Sequence, residues 1–420
     1  MLDHLATRRI FLQKGMTLLA ASATIPTFLD QTVLAVANPE DTHRTQQPSG
    51  KDGKILVVVQ LSGGNDGLST VIPHADDAYH RVRPGIGHDA STVHKLNDYV
   101  GLHPNLGPVA DLIQAGMAAV VQGVGYPNPN RSHFRSMDIW QSAEPEKQIE
   151  TSGWLGRYFD NACSGCDPKI GIAMGQALPL AMQGERVMPL AFERPEAYRY
   201  NGPDKERYQK LNKVAQPPSA VSSGPHSELD FLHRTAMDAQ LSSDQILKIT
   251  REYQTTEEYP GGEFGLGLRT IAAMIRGGLP TRVYYVSLGG FDTHANERNR
   301  HDQLMKQFAL GMKAFWQDMR EQKNEQRVLM MTFSEFGRRV VQNASGGTDH
   351  GTAAPMFLFG SSIKAGLIGQ HPSLTNLDQG DLKYTTDFRS VYASVLQNWL
   401  EAPSKPVLGR QFPTLPIVLA

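Results

Sequence analysis

Cysteine is nearly absent from this 420-residue chain: only Cys163 and Cys166 occur, in the stretch "NACSGCDP". Two cysteines exclude a four-cysteine zinc site. A bridge between them would close a very short loop and gain little entropy, so a local structural bridge or two free thiols is the plain reading, with a redox role behind it. An excess of charge is also missing. Lysine and arginine total 41 against 42 aspartates and glutamates, which excludes nucleic-acid binding driven by net charge and an acidic tail. Beyond the first residues, no run reaches the roughly 18 apolar residues that a membrane-spanning helix needs. No Gly-x-Ser-x-Gly elbow occurs, which argues against a metal-free serine esterase. Internal repeats are lacking too.

An apolar fraction of 40% is ample for a large core. The N-terminus stands apart from that core. Thr7-Arg8-Arg9-x-Phe11-Leu12 is followed by a mildly apolar stretch from Met16 to Leu29 and by small residues at Ala35–Ala37. The pattern is that of a twin-arginine signal over residues 1–37. It implies passage through the twin-arginine translocase to the periplasm or the outside. Residues 38–53 read as a polar linker, and residues 54–420 as a single domain.

Within that domain, "KILVVVQLSGG" is apolar on both faces and stops at glycine, as a central parallel strand does. The pattern recurs at 117–125, 281–290, 327–337 and 354–360. Helical periodicity falls between these runs, notably in "RHDQLMKQFALGMKAFWQDMREQK" and "SVYASVLQNWLE". Alternating strands and helices predict an α/β three-layer sandwich with a mostly parallel central sheet. Residues 200–226 are polar and rich in Pro, Ser and Gly, and read as a surface excursion. Ser227 is a candidate N-cap for the helix that follows.

Ligands on such sheets bind beyond the carboxyl ends of the strands. There this sequence places Asn65 and Asp66, Ser132 and His133, Asp292 and His294, Ser334, Glu335, Arg338 and Arg339, and finally Asp349 and His350. Carboxylates with a minority of imidazoles suit a divalent metal. Asp292-x-His294 puts two side chains on one face of an extended segment. Each residue has a plainer reading: an Asp after a strand is usually an N-cap or turn residue. Repetition at one sheet edge is what favours a shared metal site. The glycines beside these residues would let backbone approach a ligand.

The motifs "LSGGNDGLSTVIP", "NPNRSHFRSMDIWQSA", "GGFDTHANE", "TFSEFGRRVVQNASGGTDHGTAAPMFLFG" and "TDFRSVYASVLQNWL" resemble a widespread family of exported proteins described only as a domain of unknown function. More distantly, the chain is similar to the alkaline phosphatase superfamily, with its sulfatases and cofactor-independent phosphoglycerate mutases. That resemblance implies an alkaline-phosphatase-like sheet with a divalent metal (Zn, Mn, Ca or Mg) held by Asp66, Asp292, His294, Glu335, Asp349 and His350. It implies Ser132 as nucleophile; in a hydrolase, the planar guanidinium of Arg338 and the imidazole of His133 would then be the substrate contacts. Where the superfamily often has Asp-His-Gly, this chain has Glu335-Phe336-Gly337, and a phenylalanine cannot ligate a metal. Two functions follow as expectations. One is a metal-dependent hydrolase of phosphate or sulfate esters, small or polymeric. The other is a non-catalytic exported binding or assembly protein on a degenerate scaffold.

Overall fold

The structure, a computed structural model, describes residues 53–147, 151–162, 167–198 and 242–419. The signal segment, the linker up to residue 52, both cysteines, the 200–226 excursion and the cap at Ser227 lie outside the described residues. Nine strands form one sheet: β1 (Ile55–Ser62), β2 (Ala118–Gly125), β3 (Gly171–Met174), β4 (Leu190–Phe192), β5 (Val283–Gly289), β6 (Val328–Phe333), β7 (Ala354–Phe359), β8 (Gly366–Ile368) and β9 (Thr386–Asp387). Their order is β8-β2-β7-β6-β1-β5-β3-β4, with β9 also paired to β2.

The continuous apolar runs are buried on both faces, as expected. Ile55, Val57, Val59 and Leu61 of β1 enter one core, and Leu56 and Val58 enter the other. The first core is closed by α1 (Gly107–Gln114), α4 (Glu263–Arg276) and α5 (Glu297–Glu321), through residues such as Val109, Leu268, Phe308 and Met312. The second is closed by α2 (His133–Ser142), α3 (Trp154–Ala162) and α6 (Phe388–Ser394), through Trp140, Trp154 and Tyr392. The result is the three-layer sandwich with a mostly parallel sheet. Among the described residues, no helix is long and apolar enough to cross a membrane.

One strand departs from the expected direction. β7 runs antiparallel to both of its neighbours, β2 and β6. Parallel neighbours need a crossover, usually a helix. The segment from 334 to 353 contains none, so the chain turns back instead. The reversal matters for position: residues that precede β7 lie at the same edge as residues that follow the parallel strands. "GGTDHG" reaches the carboxyl edge for that reason.

The loops at this edge pack backbone against backbone. Gly63 has φ +117°, and a Cβ there would sit 2.4 Å from the Asp292 amide nitrogen and 2.8 Å from the Phe291 carbonyl carbon. At Gly347 a Cβ would lie 2.3 Å from the His294 carbonyl carbon. Neither neighbour is a flexible side-chain end that could yield. The glycines serve loop-to-loop contact rather than approach to a ligand. Gly63→Ala should therefore lower the urea unfolding midpoint by an amount equivalent to about 1–3 kcal/mol or more, from left-handed strain plus the clash. An unchanged midpoint in equilibrium unfolding would show that the loops are not packed this way.

Candidate metal centre

Four strand ends supply the cluster. Asp292 and His294 follow β5, and Glu335 follows β6. His350 precedes the reversed β7. His133 opens α2, which follows β2. The segments around Glu335 and His350 are clamped by short antiparallel pairing: Gly337 N–H to Thr352 O (2.7 Å), Gly351 N–H to Gly337 O (2.9 Å) and Arg339 N–H to Asp349 O (2.9 Å).

The hydrogen bonds fix which imidazole nitrogen is free. His133 Nδ1 lies 2.9 Å from Glu335 Oε1. His294 Nδ1 is 3.0 Å from Asp349 Oδ1, and His350 Nδ1 is 2.8 Å from the Arg131 carbonyl oxygen. All three partners are acceptors, so each Nδ1 carries the proton and each Nε2 presents a lone pair. The three Nε2 atoms converge on one oxygen. Asp292 Oδ1 lies 3.5 Å from His133 Nε2, 3.1 Å from His294 Nε2 and 3.3 Å from His350 Nε2. His294 Nε2 and His350 Nε2 are 2.9 Å apart. Two lone pairs facing each other across that distance repel unless a cation or a proton lies between them. Zinc–nitrogen bonds of about 2.0–2.1 Å make tetrahedral ligands lie about 3.3 Å apart, close to the spacings found here. His133, Asp292 and His350 are thus spaced as ligands of one divalent ion, with His294 beside two of them.

Supporting groups complete the arrangement. Glu335 is buried and also accepts the Gly63 N–H at 2.8 Å. Arg338 Nη2 donates to Asp292 Oδ1 at 2.7 Å. Burial works to raise the Asp292 pKa, but the bond and charge of Arg338, with His350 and His294, bring it down to about 2. Burial lowers His350 below the usual imidazole value, and the His294 bond lowers Asp349. Asp292, Asp349 and His350 are therefore held towards their ligand forms at neutral pH.

The candidates divide accordingly. Asp292, His294 and His350 meet as expected, and His133, expected as a substrate contact, joins them. Glu335 and Asp349 stand one step back and orient imidazoles. Asp66 does not join. It caps the one-turn helix Gly67–Thr70 through the Leu68 N–H (3.1 Å) and binds Ser69 Oγ (2.7 Å). It also forms a buried two-point pair with Arg83, with Nη2 3.1 Å from Oδ1 and Nη1 against Oδ2. The N-cap reading was the right one, and Arg83, which no motif marks, is its partner. Arg338 is likewise corrected. It donates to the carbonyls of Gly63, Gly64, Phe291 and Thr348 as well as to Asp292, and is fully buried. Such a guanidinium has no fork left for a substrate. Ser132 is exposed, and its hydroxyl makes no capping bond at the start of α2. Phe336 packs its ring 4.9 Å from His133 and 4.6 Å from His350, a wall in place of a ligand.

A second group, His88, His103 and Asp302, is also compact, but its chemistry differs. His103 Nδ1 accepts the Asn105 N–H (3.0 Å), so Nε2 holds the proton and donates to Asp302 Oδ1 (2.7 Å). That nitrogen has no lone pair for a metal. Beside it, Glu297 packs against Asp66. Burial, then the Asp66 charge, raises the Glu297 carboxyl to about 9. Burial opposes an ionised Asp66, but the Arg83 charge, the hydrogen bonds of Glu297 and Arg83 and the His301 charge together outweigh it and hold Asp66 well below the usual carboxylate range. One proton is thus shared within the pair, on Glu297.

The sign for stability follows. Glu297 has its folded pKa raised, so its contribution is complete below the unfolded value near 4.3 and is lost as pH rises towards 9. Asp66 acts oppositely and loses its contribution only in acid. Glu297→Gln should therefore be at least as stable as the parent at pH 9, and the parent's decline from about pH 5 upward should flatten. Urea unfolding across that range measures both. Parallel curves for parent and variant would contradict the shared proton.

Comparison with known proteins places these observations. No curated protein matches the chain. Among solved structures, a protein in the alkaline phosphatase superfamily from Vibrio parahaemolyticus is similar at TM-score 0.38 and 10% identity, over 91% of this chain and 77% of that one. A phosphonate monoester hydrolase of Agrobacterium radiobacter is similar at TM-score 0.37 and 7% identity, over 86% and 78%. A lipoteichoic acid synthase from Listeria monocytogenes is similar at TM-score 0.33 and 10% identity, over 86% and 81%. The family model that matches covers residues 53–412, from the first described residue through the whole sheet, and the chain belongs to that family, DUF1501, a protein of unknown function.

Proposed function

We propose that this protein is an exported, metal-dependent hydrolase of phosphate or sulfate esters, with the ion held by His133, Asp292, His294 and His350. The observation that carries the reading is the convergence of three Nε2 lone pairs on Asp292 Oδ1, each imidazole anchored through its Nδ1–H. Three nitrogens and one oxygen suit zinc better than calcium or magnesium, which take oxygen ligands. When bound, the ion would supply positive charge to the ester oxygens as negative charge builds on them.

The chain's own residues have distinct tasks in this reading. Ser132 Oγ attacks phosphorus or sulfur, the bond to the ester oxygen breaks, and the alcohol leaves with the serine proton. Water then cleaves the seryl ester and restores the hydroxyl. Anion binding passes from the saturated Arg338 to the start of α2, where Ser132 provides no side-chain cap. Glu335 and Asp349 hold the imidazole rings, as carboxylates behind metal-bound histidines do. The Thr7-Arg8-Arg9 signal pattern supports export.

A second reading, a metal-bearing binding protein without turnover, draws on Phe336 standing where a ligand was expected and on the closed fork of Arg338. One set of measurements separates the two. Calorimetric titration with Zn²⁺ and Mn²⁺ should show one tight site in the parent, lost in His350→Ala. Asp349→Ala should weaken it roughly 10–100-fold. Ser132→Ala should keep the metal and lose turnover on a panel of chromogenic phosphate and sulfate esters. Metal binding without turnover on any ester would favour the binding protein, and absence of metal binding would remove the hydrolase.

A further inference from the structure

Next to the candidate centre lies a cavity of about 700 Å³, within the range of roughly 300–1,000 Å³ usual for small-molecule sites. Phe336 and Arg131 belong to both. Phe336 lines the cavity and packs on His133 and His350. Arg131 lines it and gives its carbonyl to His350. One wall is the loop Tyr126–Arg131 that leaves β2. The other is the hairpin of Leu377–Asp378 with Asp381–Leu382, followed by Lys383 and Tyr384.

The walls are tied at their base. Asp381, 1% exposed, pairs with Arg131 across the cavity and with Arg339 Nε at 3.5 Å. Arg339 Nη1 also donates to the Gln379 carbonyl at 2.8 Å, which holds the hairpin tip. The tip and the opposite loop each have a residue in left-handed backbone, Gln379 (φ 50°) and Asn128 (φ 54°). Such conformations persist only where the surroundings enforce them.

We infer that this cavity is a subsite for a neutral carbohydrate, the carrier from which the adjacent centre removes a phosphate or sulfate ester. The inference rests on the hydrolase reading for the ester, while the sugar-binding part stands on the cavity alone. Charge points to a neutral ligand, since Arg131 and Lys383 are matched by Asp378 and Asp381. The exposed lining is divided about evenly between polar and apolar surface, which suits a sugar, with its hydroxyls and C–H faces, better than the wholly apolar tail of a lipid. Among the described residues, the side-chain amides of Asn128 and Gln379, the Asn130 Nδ2 and the Asp378 carboxylate have no hydrogen-bond partner, while Asn130 Oδ1 accepts the Ser132 N–H and the Gln379 carbonyl accepts from Arg339. Amides and carboxylates match the paired donor and acceptor character of vicinal hydroxyls. Tyr384, 40% exposed, offers the ring face on which the C–H side of a pyranose rests.

The test reads binding without catalysis. Chelator-treated parent protein is screened against an array of neutral oligosaccharides, and binders are titrated in solution. At least one saccharide should bind, and Tyr384→Ala and Gln379→Ala, both exposed positions, should each weaken it about tenfold. If no saccharide binds, or if both variants bind as well as the parent, the subsite is overturned. The readout needs neither metal nor turnover, so loss of the hydrolase reading would be recognised separately, by the ester panel.

Discussion

A buried guanidinium holds the functional edge together. Arg338 gathers carbonyls from the β1 loop (Gly63, Gly64), the β5 loop (Phe291) and the loop before β7 (Thr348), and it grips Asp292. A buried cation with carbonyls and a carboxylate around it is satisfied; removing it would leave several acceptors without donors, at about 1–3 kcal/mol each. The same bonds fix where Asp292 Oδ1 points. Every ligand geometry described above therefore inherits its precision from a residue that touches no substrate. Gly63 and Gly347 allow the arrangement, because only bare backbone lets these loops come so close.

The imidazole orientation is a second consequence of hydrogen bonding rather than of packing. Two compact His/Asp groups lie among the described residues, and distance alone would rate them alike. What separates them is the partner of each Nδ1. In the group at the sheet edge all three partners are oxygen acceptors, so lone pairs face inward. At His103 the partner is a backbone N–H, so a proton faces inward and the group closes on itself as a hydrogen-bonded pair. One donor in place of one acceptor turns a cation-shaped hole into a satisfied core.

Much of the architecture was legible in the sequence because burial on both faces writes itself as uninterrupted Val, Ile and Leu. Strand direction was not legible from such a run, since the pattern of β7 is the same read either way; the missing helix between 334 and 353 was the available signal. In the site, Asp292, His294 and His350 were legible as ligand-type residues at strand ends. Asp66 matched the same rule and failed it, because its fate was set by Arg83, and only the fold brings that guanidinium to it. Arg338 has an anion-binder's chemistry and a structural position, a distinction that burial makes and sequence does not. His133 was legible as part of the site but not as a ligand-type group facing Asp292, since the orientation of its ring follows from Glu335, some two hundred residues away.

The replacement of a ligand-type histidine by Phe336 need not abolish a centre if another element supplies the nitrogen. His133 sits at the start of α2 with its ring against Phe336, and its Nε2 lies 3.5 Å from Asp292 Oδ1. Phenylalanine then does what a ligand would not: it excludes water from one flank of His133 and His350 and forms the floor where the centre meets the cavity. A drier flank would strengthen the charge interactions of a bound ion with the residues that hold it. The substitution that looks like decay in the sequence is, in three dimensions, the joint between the group that would hold the cation and the cavity that would hold the carrier.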